Sequence, residues 1–425
     1  MLILLKEVSP RALYVFDFVF KERGLDYEIT VDVQWFHTCP KPKLNFSDDE
    51  IKGALNLHPS RLIFDATIGN FGIGKALFYK EECLTFNEIV DPFAAIFYIL
   101  SRHEEYETST FDKFGRFEGK NSVLFRYGWH EKAMCDRWAE DIIAWIEERF
   151  GKFERTQIQD VNIVPTFDID NAFAYKYKGI LRTILSDFKD VLFGRRKRLM
   201  ERRKVQAGFQ TDPYDTFQKI ENVVSEFEYA RIFWLLGDFA KYDKNLSFKN
   251  KKHRQLIQRM AQKVTIGIHP SMKSNTYDYY LHNEIERLEE IIKNRVHNSR
   301  QHFLYLRFPY TYETLQAQEI TDDYSMGYAD IAGFRAGTAR SFLWFDLKKN
   351  EVSKLRVHPF AYMDGTLNEY LKLSPTEAKE KIQALFDEVK NFGGDFVFIW
   401  HNETIGDYAH WKGWSDVLDF SLRLK

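Results

Sequence analysis

The run Val161-Asn162-Ile163-Val164-Pro165-Thr166-Phe167-Asp168-Ile169-Asp170 carries the reading of the fold. Its first seven residues are β-branched, aromatic or otherwise strand-compatible, and then two acids appear two positions apart. Side chains at i and i+2 share one face of a strand, so Asp168 and Asp170 point to one place at the strand's carboxyl end. In α/β folds that end is where ligands bind. Two carboxylates held together suit a metal ligand and a general base, because without a cation each raises the other's pKa. An ordinary strand-end turn produces the same pattern, so the pair needs company to mean more.

Company is found by reading outward. Short apolar runs at Asn162 to Phe167, Ala230 to Leu236, Lys263 to Ile268, Gln301 to Leu306, Lys354 to Val357 and Asp395 to Trp400 each end in polar residues and precede helical segments. That alternation predicts an α/β architecture, a parallel sheet or barrel. Ser374, Pro375 and Glu377 stand at the N-cap, first-turn and capping-box positions of a helix running through Ala378 to Phe392, and Gly393 with Gly394 stops it. Upstream, strand-like Leu2 to Leu5, Tyr27 to Trp35 and Arg61 to Ala66 mix with helical Pro92 to Tyr106 and Glu131 to Phe150, which predicts a smaller α+β domain over 1–155. The second domain then covers 156–425, after a polar link of Lys152, Glu154, Arg155, Gln157 and Gln159.

Other strand ends supply chemistry. The strand ending at Ile268 runs into His269-Pro270-Ser271, where a neutral imidazole can hold zinc or another divalent metal. The last strand, ending at Trp400, runs into His401-Asn402-Glu403. Arg300-Gln301-His302, Arg307-Phe308-Pro309-Tyr310 and Gly333-Phe334-Arg335 bring arginines that can hold a carboxylate or a substrate oxygen. Three polar clusters at equivalent strand ends converge on one cleft.

The composition narrows the function. Sixty Lys and Arg against 62 Asp and Glu leave a net charge of −2, which excludes a globally basic nucleic-acid binder. Three cysteines, odd in number and far apart, form neither a disulfide framework nor a thiolate zinc site. Lys6, Glu7 and Arg11 interrupt the apolar opening and no cleavage signal follows, so the expectation is a cytoplasmic protein. One segment, about 178–210, departs from the rhythm. Its amphipathic stretch (Ile180, Leu181, Ile184, Leu185, Phe188) is followed by a basic cluster from Arg195 to Lys204. It reads as an inserted solvated helical hairpin, with docking of 180–204 on an anionic membrane surface, at the inner face, as the sharper alternative.

Taken in order, Thr166-Phe167-Asp168-Ile169-Asp170, His269-Pro270-Ser271, Arg307-Phe308-Pro309-Tyr310 and His401 resemble the polysaccharide deacetylase family, of NodB homology and carbohydrate esterase 4 type, over about 160–425. Asp91-Pro92-Phe93, the stretch from Ser101 to Tyr106 and the stretch from Asp323 to Thr338 look like a bacterial branch with an uncharacterised N-terminal domain. The resemblance implies a distorted (β/α) barrel and a hydrolase that removes acetyl groups from an N-acetylated sugar or polysaccharide precursor, using a divalent metal, commonly zinc. It implies Asp168 as general base, Asp170 and His269 as metal ligands, and His401 as general acid, with Arg307 or Arg335 orienting Asp168. Ser271, Tyr310, Trp400 and Asn402 are then the expected saccharide contacts. This sequence departs from the family where a second histidine normally follows four residues after the first: Lys273 stands there. His302 is the expected substitute ligand, and Ser274 or water the fallback. The acids are also separated by Ile169 instead of adjacent. Two rival functions remain: a non-catalytic saccharide-binding protein on the same fold, and a glycosyltransferase using Asp168-Ile169-Asp170 for a nucleotide-sugar.

Overall fold

A computed structural model describes residues 1–155, 160–275 and 277–425. Gln157 and Gln159 of the expected link lie outside the described residues. The amino-terminal part holds two small sheets. Strands β1 (Leu2–Leu5), β2 (Glu28–Thr30), β3 (Lys43–Phe46) and β4 (Leu55–Asn56) pair in parallel in the order β2-β1-β3-β4, and β5 (Ile73–Leu77), β6 (Glu82–Phe86) and β7 (Ile89–Val90) form an antiparallel meander.

Three stretches here differ from the sequence reading. Only Glu28–Thr30 of the expected strand 27–35 is extended, because the Asp32 carboxylate accepts the N–H groups of Gln34 and Trp35 and starts a helix over Val33–Thr38. Arg61 to Ala66 opens with a 3₁₀ turn, Arg61–Ile63, whose start is capped by the Ser60 hydroxyl. The expected helix 92–106 forms in two pieces, Pro92–Leu100 and His103–Glu107, broken where Arg102 adopts a left-handed backbone (φ 55°).

The carboxyl-terminal part is mixed α/β, built among the described residues on nine strands: β8 (Asn162–Ile169), β9 (Arg231–Trp234), β10 (Thr265–Ile268), β11 (Asn298–Ser299), β12 (Asp322–Asp323), β13 (Phe342–Asp346), β14 (Glu351–Val357), β15 (Tyr362–Met363) and β16 (Asp395–His401). Their order is β13-β14-β12-β11-β10-β9-β8-β16-β15, parallel throughout except for the β13–β14 pair. The end strands β13 and β15 share no ladder among the described residues, so hydrogen bonding leaves the expected barrel unclosed. The fourth expected strand is displaced as well: β11 precedes Gln301, and His302–Leu304 is a 3₁₀ turn.

Strands buried on both faces read as continuous apolar runs, and β8 shows how the two faces divide. Phe167 and Ile169 pack into the main core, which also takes Ile232, Trp234, Ile268, Phe398 and Trp400. Val164 points the other way, into a small cluster with Phe233, Tyr324, Phe360, Val397 and Ile399. Leu304 of that small cluster, and Met363 packed against it, line the cleft described below. The helix Pro375–Phe392 has the expected reciprocal capping box between Ser374 and Glu377 and ends at Gly393.

The two parts share buried polar contacts. Glu105 lies between Arg102 and Arg335, with Arg335 Nε 2.9 Å and Arg102 Nε 2.8 Å from the same carboxylate oxygen. At Gly333, where φ is 128°, a Cβ would meet the His130 carbonyl oxygen at 2.1 Å, so only glycine allows that close backbone approach. Residues Ile180–Leu192 and Arg196–Gln206 form the helical hairpin.

Candidate metal centre

The parallel register sets the carboxyl ends of β11, β10, β9, β8 and β16 side by side. Asp168 lies opposite His401 on β16, and Ile268, the residue before His269, lies opposite Ser299. Loops leaving these ends therefore converge on a cleft of about 360 Å³ lined by Asp168, Asp170, His269, His302 and His401.

Asp170, His269 and His302 each offer one ligand atom, and the three atoms lie within 4.8 Å of one another. His269 Nε2 is 3.1 Å from one Asp170 oxygen and His302 Nε2 is 3.4 Å from the other. The histidine tautomers follow from their outer partners. His269 Nδ1 is 2.6 Å from the Arg300 carbonyl oxygen. A carbonyl only accepts, so Nδ1 carries the proton and Nε2 presents its lone pair. His302 Nδ1 donates in the same way to Asp243 Oδ1 at 3.0 Å, an oxygen that also accepts the Met272 N–H. Imidazoles oriented by a carbonyl and a carboxylate are the usual outer arrangement of a metal-binding histidine. The Asp170 Oδ1 atom is buried without a hydrogen-bond donor, as a ligand oxygen would be. The donor set of two imidazole nitrogens and one carboxylate suits zinc or a similar divalent ion and leaves a position open.

Burial and neighbouring charge pull on two members of the triad in opposite directions. Burial disfavours a charged His302, yet Asp170 and Asp243 outweigh it and lift its pKa to about 9. Burial likewise opposes ionisation of Asp170, but the two imidazoles hold it well below the usual carboxylate range.

Asp168 stands beside the triad, its Oδ2 3.9 Å from His269 Nε2. Its other oxygen accepts from Arg300 Nη1 at 3.1 Å, and the same nitrogen donates to Thr166 Oγ1 at 2.6 Å. Arg300 is fully buried, gives its Nε–H to the Tyr324 carbonyl, and lies 4.5 Å over the Phe233 ring. Opposite, His401 Nδ1 donates to Asp364 Oδ1 at 2.8 Å, while Asp364 Oδ2 accepts the His401 backbone N–H and the Thr404 hydroxyl. Burial works against a charged His401, but Asp364, then Asp170 and Asp168, raise its pKa well above the ordinary value. Glu403, on the same rim, is pushed up to about 7 by burial and by Asp170.

Five expected site residues therefore meet in the cleft, and six do not. Arg335 is buried against Glu105 and the Gly327 carbonyl. Arg307 is exposed, outside the cleft. The arginine that touches Asp168 is Arg300. Ser271 is buried, its hydroxyl and N–H both held by Glu284. Tyr310 donates to Asp278 at the surface. Trp400, neighbour to His401 on a strand, points to the opposite face and packs near Trp414. Asn402 ties the carbonyls of Asn171 and Tyr214 and does not line the cleft. Lys273 is exposed, its Nζ 5.6 Å from the Tyr280 ring, and Ser274 gives its hydroxyl to the Ser271 carbonyl. The N-terminal part adds a wall residue: Arg116 donates to the Phe303 carbonyl and the Tyr370 hydroxyl.

Residues 1–151 match the family of unknown function DUF7033. No curated protein matches the chain. Among solved structures, a Mycobacterium smegmatis protein assigned as a polysaccharide deacetylase is similar at 13% identity and a TM-score of 0.39, covering 63% of this chain and 90% of that one. The Puue allantoinase is similar at 11% identity and a TM-score of 0.36, covering 62% and 86%.

Proposed function

We propose that the chain is a metal-dependent amide hydrolase that removes acetyl from an N-acetylated saccharide. The observation that supports this reading is the facing arrangement of two polarised groups across one open metal triad: Asp168 held by Arg300 on one side, and His401 held by Asp364 on the other. A divalent cation on Asp170, His269 and His302 would polarise an acyl carbonyl and acidify water in the cleft. Asp168, held in place by the adjacent guanidinium, is positioned to accept a proton from the attacking water. His401, kept protonated by Asp364, is placed to give one to the departing amine. Arg300 and Asp364 fix these two side chains before substrate arrives, so little reorganisation is needed during the reaction. The outward placement of Lys273 supports the hydrolase over a metal-free binding protein, since its ammonium does not fill the triad.

The test is elemental analysis of protein purified without chelator, followed by acetate release from short N-acetylglucosamine oligomers. About one equivalent of a divalent metal, lost in Asp170→Ala and His302→Ala, with acetate release abolished in Asp168→Asn, is expected. A protein that stays empty after divalent ions are added overturns the reading.

A further inference from the structure

The helix Ile180–Leu192 is turned inside out for a globular protein. Its only buried residue is Asp190, while its apolar stripe faces solvent. Ile180, Leu181, Leu185, Phe188 and Leu192 are between 60% and 82% exposed. The reversal has a structural cause. Arg202 of the second helix is buried, and its guanidinium pairs with Asp187 and Asp190, so the polar face of the first helix is spent on holding the hairpin together. A contiguous apolar patch of this kind on a water-soluble surface marks a docking site.

Charge identifies the partner. Residues 176–206 contain eleven Lys and Arg against three Asp and Glu, in a chain whose net charge is −2. Asp187 and Asp190 are engaged by arginines, and Glu201 accepts from the Tyr175 and Tyr408 hydroxyls. The cations that stay exposed include Lys189, Arg195, Arg196, Lys197 and Lys204, flanking the apolar stripe. A second copy of this chain would bring the same positive flank against it. An anionic bilayer instead takes the apolar side chains at the acyl boundary and the cations at the headgroups. We infer that the hairpin 180–206 docks the protein on an anionic lipid surface, with the stripe from Ile180 to Leu192 inserted and the cluster from Arg195 to Lys204 on the headgroups.

The hairpin is joined to the cleft on two sides. Glu201 holds Tyr408, which lines the cleft. Arg182 donates to the carbonyls of Lys244 and Asn245, in the loop whose Asp243 orients His302. Docking therefore sets the cleft beside the lipid surface.

The test is co-sedimentation of the full chain with vesicles of phosphatidylcholine alone or of equal parts phosphatidylcholine and phosphatidylglycerol. Binding to the anionic vesicles only, weakening as salt rises, is expected. Phe188→Asp should abolish it. The triple change Arg195→Glu, Arg196→Glu and Lys197→Glu should weaken it by about a hundredfold or more, as ~1 kcal/mol for each of three interfacial cations requires. These substitutions are at exposed positions, and the salt series needs no variant. Failure to bind either vesicle overturns the proposal, as does sedimentation of the free protein as a dimer that Phe188→Asp converts to monomer. Neither readout depends on hydrolysis, so metal binding and acetate release stand or fall separately.

Discussion

Arg300 Nη1 lies 3.1 Å from Asp168 Oδ1, and both side chains are buried, the arginine completely. The pair joins β8 to the end of β11, with an aromatic floor beneath it. Its two charges are therefore safe only together.

Arg300→Met should destabilise the protein by about 3–5 kcal/mol, because Asp168 is left as an uncompensated buried charge. Adding Asp168→Asn should recover a substantial part of that loss, since the neutral amide needs no counter-ion. Denaturant midpoints of the parent, both single variants and the double variant measure the coupling.

Asp243 touches the triad only through His302, yet it sets which nitrogen faces the metal position. Asp243→Asn should weaken divalent metal binding by about 10–100-fold while the fold persists. Competition against a chromophoric chelator reads the change directly.

His103 has no hydrogen-bond partner on either ring nitrogen, is buried against Tyr98, and is lowered to about pKa 4 by burial and then by Arg11. The unfolded chain binds this proton at higher pH than the folded one. Stability from this residue is thus intact above the unfolded value near 6.5 and is lost as pH falls toward about 4. His103→Phe should shrink the difference in unfolding free energy between about pH 7 and about pH 4.5 by roughly 2–3 kcal/mol.

Glu105→Gln removes the one carboxylate shared by Arg102 and Arg335 and should cost about 3–5 kcal/mol. Limited proteolysis should then cut between the two parts of the chain earlier than in the parent.

The parallel strands and the helix at 375–392 were legible because burial on both faces and a capping box leave strong local marks. Strands β11 and β12 left none: each is two residues long, Asn298–Ser299 and Asp322–Asp323, and they are strands only because their neighbours pair with them. Among site residues, Asp168, Asp170, His269 and His401 followed from strand-end reasoning and from the motif order, while His302 was reached only as a substitute for the missing second histidine and was expected at the start of a strand, not after the end of β11. Asp243 and Asp364 were invisible, since a lone acid in a loop has no periodicity to betray it. Arg300 stood in a stretch already suspected, but the motif order drew attention to Arg307 and Arg335. Side-chain alternation accounts for one more residue. Trp400 shares a strand with His401 and faces the other way.

The groups that build the cleft come from widely separated parts of the chain. Asp168 and Arg300 are 132 residues apart, His302 and Asp243 are 59 apart, and His401 and Asp364 are 37 apart. None of these pairs can form until β8, β11, β15 and β16 are in register, and such long-range pairing is slow to assemble. The triad of Asp170, His269 and His302 is therefore a late product of folding and no template for it. During refolding, tight binding of added zinc should follow the recovery of helix signal, and its appearance should mark the moment the strands that carry these residues have paired.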